Sequence, residues 1–164
     1  MCGPETPSTT PRVGARVDLS SPTGRGSLGN LLFLNPSAPS STHATHVRFH
    51  RLGEESSPLG DRGACDDDDD DNDDDVLVSI HTTGDLTRPL AEAGLMRQFT
   101  LPLRGRGSGG PAEVPLGAAV SLHVGGHDGI IGRRVSVRRG RELLADGIVG
   151  FNFCFSATAP SSPV

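Results

Sequence analysis

The chain has 164 residues, the length of one ordinary domain, and 22 Gly and 13 Pro without a single Trp or Tyr. That much Gly and Pro excludes a helical bundle, and all 15 basic residues are Arg. Formal charge is −5, yet nine of the 20 acidic residues fall at 66–71 and 73–75, and without them the chain would carry +4, so net charge identifies no partner.

Residues 1–12 hold three Pro and several Ser and Thr with no apolar periodicity, and read as a disordered tail. They lack the apolar run of a secretory signal, and no stretch approaches the roughly 18 apolar residues of a membrane span. Three Cys (Cys2, Cys65, Cys154) in no metal-type spacing suit a reducing compartment. The sequence thus reads as a soluble, intracellular protein.

Short segments bounded by Gly, Pro and Ser then follow one another: 15–19, 28–34, 45–52, 76–80, 95–101, 118–124, 133–138 and 147–155. Several alternate apolar with polar residues, as in Val47-Arg48-Phe49-His50 and Val135-Ser136-Val137-Arg138, the period of a half-buried antiparallel strand. About eight strands predict an all-β fold, a Greek-key barrel or sandwich, over residues 13–155. An acidic loop (66–75) and a Gly-rich loop (104–117) interrupt it, one helical turn fits 89–93, and 156–164 reads as a flexible C-terminal tail.

His43, His46 and His50 invite a metal reading that geometry discourages. On a strand rising about 3.3 Å per residue His46 and His50 lie roughly 13 Å apart, and Arg48 stands where a second ligand would sit. The aspartate run lacks the Gly and terminal Glu of a calcium loop, and reads as a solvated charge block with weak cation binding at most. Arg104-Gly105-Arg106 has no aromatic residues interleaved for nucleic-acid stacking, and Gly125–Gly132 precedes a strand rather than the helix of a phosphate loop. No Ser, Cys or His occupies a nucleophile-elbow context.

The C-terminal third carries a resemblance. His127-Asp-Gly-Ile-Ile-Gly-Arg-Arg-Val-Ser-Val-Arg138 followed by Leu144-Ala-Asp-Gly-Ile-Val-Gly150 resembles the copper/zinc superoxide dismutase signature, roughly DHxIIGRxxVVH then LACGVIGI. Upstream, Phe49-His-Arg-Leu-Gly-Glu54 resembles that family's HVHxFGD segment, in a form closest to the superoxide dismutase-like proteins of poxviruses, and Gly84-Asp-Leu86 resembles HVGDLGN. The resemblance implies an eight-stranded Greek-key barrel of the dismutase type. It also implies ligand positions that this chain has mostly lost.

His50 and Asp85 are the remnants, of a copper and the zinc site respectively, while Arg48, Thr82 and Arg138 stand where further histidines belong. A guanidinium at a ligand position cannot coordinate copper, and its fixed positive charge would repel the ion. Leu143 replaces the channel arginine and Asp146 the second cysteine, leaving Cys154 some 26 Å along the strand. The implied protein is therefore no enzyme and holds no cofactor, although an active dismutase with rearranged ligands stands as an alternative. Its partners would be proteins: the host copper chaperone or dismutase, approached as a decoy in the host cytoplasm, other virion components, or a second copy in a homodimer. A purely structural virion protein is the further alternative.

Overall fold

The computed structural model describes residues 12–24, 26–52, 75–102 and 112–153. Most of the acidic run, the 104–111 part of the Gly-rich segment, all three Cys and the tails at 1–11 and 156–164 lie outside the described residues.

Nine strands form one curled sheet: β1 (Arg12–Ser20), β2 (Ser27–Leu34), β3 (His43–Arg51), β4 (Asp75–Ile80), β5 (Arg97–Pro102), β6 (Ala112–Val124), β7 (Gly129–Ile131), β8 (Arg134–Arg139) and β9 (Glu142–Phe153). The hydrogen-bonded order is β5-β4-β8-β9-β1-β2-β3-β6-β7, antiparallel except for β6 with β7. β1–β2, β2–β3, β4–β5 and β8–β9 pair as hairpins, and the crossings from β3 to β4, from β5 to β6 and from β7 to β8 make the fold an all-β Greek-key half-barrel. The single helical feature among the described residues is a 3₁₀ turn at Leu90–Glu92.

Alternation explains the curl. Ala15, Val17 and Leu19 of β1, Leu31 and Phe33 of β2, Val47 and Phe49 of β3, and Val76, Val78 and Ile80 of β4 point inward and are buried, while Arg16 and Asp18 point out. The core continues through Val135 and Val137 of β8 and Val149 of β9, with Phe33 meeting Phe99 edge-on at 6.3 Å between ring centres. Phe151 packs against this core and touches Phe153 at 6.1 Å, so β9 turns part of its aromatic face to the barrel interior.

β5, at one end of the order, approaches β6, the strand next to the other end, without a ladder. Arg97 of β5 reaches across the gap and donates from its guanidinium to the carbonyls of Leu116 and Ala119 on β6, 3.4 and 3.3 Å away. A side chain thus closes the seam where backbone pairing stops.

The strands depart from the sequence expectation most at β6, β7, β9 and β1. β6 starts at Ala112, inside the segment expected to be loop to 117; Pro115 is accommodated because this half of β6 has a ladder neighbour on one side only, and Gly117 at φ +74° turns a bulge between the two stretches paired with β3. β7 is a short strand inside the Gly-rich strip, formed because Ile130 and Ile131 bury into the barrel. β9 begins at Glu142 rather than 147, and β1 takes in Arg12.

Two glycines of β9 separate packing from flexibility. A Cβ on Gly147 would collide with the Asp18 carbonyl and come within 2.9 Å of Val17 Cγ1, whereas one on Gly150 would sit 3.8 Å from its nearest neighbour. Gly147→Ala should therefore cost about 1–3 kcal/mol in urea unfolding at unchanged m-value, and Gly150→Ala should be neutral or slightly stabilising. Equal effects at the two positions would refute the close β1–β9 packing.

Candidate functional site

Two regions of the barrel's outer face carry the chemistry-bearing residues. On the first, β3 turns His46, Arg48 and His50 outward because Val47 and Phe49 face the core. Arg48 pairs with Glu113 of β6 at 2.6 Å, and Arg16 pairs with Asp18 at 2.7 Å. His50 is half-buried beside them, opposite Asn30 of β2. Burial, then the positive charges of Arg48 and Arg16, hold its pKa below the ordinary histidine value. His43 and His46 each share a hydrogen bond with the threonine before them. This is a compensated polar surface.

On the second region, Ser79 of β4 and Arg134 and Ser136 of β8 face outward yet are buried, since residues 81–96 fold back over them. Arg134 is the anchor: its guanidinium meets Asp146 Oδ2 of β9 at 2.6 Å and donates to the Arg88 carbonyl at 2.8 Å, while its backbone N–H binds the Thr83 carbonyl. Arg133 beside it donates to the carbonyls of Thr82, Gly126 and Gly129. Successive arginines thus staple two loops to β8.

His81, at the end of β4, is held at both ring nitrogens. Nδ1 lies 2.6 Å from the Gly94 carbonyl, which can only accept, so Nδ1 carries a proton. Nε2 lies 2.8 Å from Ser136 Oγ on β8, and in the neutral ring it accepts the serine proton. Ser136 stands opposite Ser79, whose hydroxyl accepts from Gln98 Nε2 at 2.8 Å. Arg138 follows on the same outward row of β8.

Asp85 lies in the loop beyond. One carboxylate oxygen accepts from the backbone N–H and hydroxyl of Thr87, and the other faces Arg88 Nε at 3.4 Å. The Thr87 hydroxyl first, then the Thr87 amide and Arg88, hold its pKa below the usual carboxylate value. Asp85 thus stabilises its own turn. Thr82 donates to the Ala93 carbonyl.

The positions singled out from the sequence therefore do not converge. Arg48 and His50 are on β3, and Arg138 is on β8, with β9, β1 and β2 between them, roughly 19 Å along the sheet at about 4.8 Å per strand. The side chains gathered near Arg138 are instead Ser79 and Ser136, which no motif singles out, and His81, which stands one place out of register with the zinc-ligand position at Thr82. Among the described residues no three His, Cys, Asp or Glu side chains come together as a metal site. Among the described residues no helix is long and apolar enough to cross a membrane. Neither a family model nor a curated protein matches the chain.

The lowered pKa of His50 has a definite sign. The unfolded chain binds this proton more tightly than the folded one, so stability is fully present above the ordinary value of 6.5 and declines as pH falls through it towards the folded-state pKa. His50→Gln should remove that part of the decline, giving a flatter stability profile below pH 6.5 in urea titrations. A variant whose slope matches the wild type would contradict the assignment.

Proposed function

We propose that the chain is a non-catalytic superoxide dismutase-like protein of poxvirus type, which keeps the barrel and works through protein contacts. Two features support this reading. The segments that resemble the dismutase signature, 127–138 and 144–150, fall on adjacent antiparallel strands, with Arg134 opposite Ile148 and Ser136 opposite Asp146. The second is a shift of register: with β4 beside β8, the HVHxFGD-like segment also fits Ser79-Ile-His-Thr-Thr-Gly-Asp85, which retains one histidine as 48–54 does and, unlike 48–54, keeps the intact Gly-Asp pair.

In that register the copper-ligand positions read Ser79, His81 and Arg138. The observation that carries the proposal is the state of His81, whose two ring nitrogens are taken by Gly94 and Ser136, with a guanidinium nearby. A copper ion needs bare imidazole nitrogens from several residues, and a fixed positive charge opposes its entry. Hydrogen bonding has replaced ligation. What such a protein retains of its class is a dismutase-like surface, and we assign its role to a virion component or to a decoy in the host cytoplasm, engaging the host copper chaperone or the host dismutase.

Two measurements test this. Elemental analysis of the purified protein, dialysed without chelator, should find less than about one tenth of a copper or zinc ion per chain, since three or four placed ligands are required. Near-stoichiometric metal would overturn the non-catalytic reading. Pull-downs from host cytosol and from purified virions should retain the copper chaperone, the dismutase or a virion protein. Failure to retain any of them would remove the proposed role.

A further inference from the structure

Between residues 90–95 and the β8–β9 hairpin lies a cleft of about 510 Å³ on the outer face of β4 and β8. Ser79, Gln98 and Ser136 contribute polar lining, Leu90, Leu95 and Leu143 contribute apolar lining, and Arg138 and Arg141 supply two positive charges without one carboxylate. Neither arginine makes an ion pair among the described residues. Arg138 uses one terminal nitrogen on the Arg141 carbonyl at 3.3 Å, and its Nε is buried with no hydrogen-bond partner.

A buried guanidinium donor left without an acceptor is costly, and two uncompensated guanidiniums in one cleft repel each other. The fixed fork of N–H donors matches the oxygens of phosphate or carboxylate, and the charge of two arginines matches a dianion better than a monoanion. The Ser79 hydroxyl, which accepts from Gln98, retains its own proton for a further oxygen. The three leucines offer apolar surface to an organic substituent, and the volume falls in the usual small-molecule range of roughly 300–1,000 Å³. We propose that this cleft binds a small organic phosphate monoester, with its phosphate on Arg138 and Arg141 and its apolar part against Leu90, Leu95 and Leu143. The inference rests on the cleft itself and stands whether or not the chain is dismutase-like.

Isothermal titration of the full chain at low ionic strength tests it, with phenyl phosphate, inorganic phosphate and benzoate as probes. Phenyl phosphate should bind saturably, one per chain, and more tightly than either of the others. Arg138→Gln and Arg141→Gln should each weaken it about tenfold or more, while Arg16→Gln on β1 should leave it unchanged. Arg141 is exposed at the hairpin turn, so Arg141→Gln carries the test should Arg138→Gln lose the fold by circular dichroism. The proposal is overturned by the absence of saturable binding, by benzoate or inorganic phosphate binding as tightly as phenyl phosphate, or by affinities indifferent to Arg141→Gln.

Discussion

Arg134 is a buried guanidinium on the outer face of a barrel strand, and the candidate site depends on its being satisfied. A charge out of water costs several kcal/mol unless its hydrogen bonds are complete, and this one meets a carboxylate on β9 and carbonyls at 85 and 88. Those partners belong to different parts of the chain. Satisfying the charge therefore holds β8, β9 and the 81–88 segment in one arrangement. That arrangement keeps residues 90–95 over β4, where Gly94 presents its carbonyl to His81 and Leu90 and Leu95 wall the cleft.

The eight strands expected from the sequence are present because burial on a curled sheet enforces a period of two, which local residues report directly. The first half of β6 escaped that signal because Pro115 and Gly117 read as loop, and their tolerance depends on a free sheet edge and a bulge that only the tertiary arrangement reveals. β7 escaped it through its three-residue length. The pairing of β4 with β8 spans more than fifty residues and leaves no local trace, so the neighbours of Arg138 were misplaced. The likeness at 49–54 falls on β3, whereas the Gly84-Asp85 pair follows the strand that lies beside β8, a difference that only the strand order exposes.

The two regions also differ in how they treat charge. Around His50 each arginine has a carboxylate, Glu113 for Arg48 and Asp18 for Arg16, in partly exposed pairs worth little individually. Around His81 the carboxylates are already engaged, Asp146 by Arg134 and Asp85 by its own turn, so Arg138 and Arg141 face the cleft with no counter-charge among the described residues. Such a cleft repels a cation and attracts an anion. The hydrogen bonds of His81 and the positive cleft thus act in one direction, away from metal binding.

Nitrogen NMR of the His81 imidazole, recorded before and after one equivalent of Zn²⁺, measures this most directly. The account predicts a ring protonated at Nδ1 and hydrogen-bonded at Nε2, with both nitrogen shifts unchanged by the metal. A stoichiometric, metal-dependent shift of either nitrogen would mean that His81 exchanges its hydrogen bonds for a ligand bond, and would contradict the account.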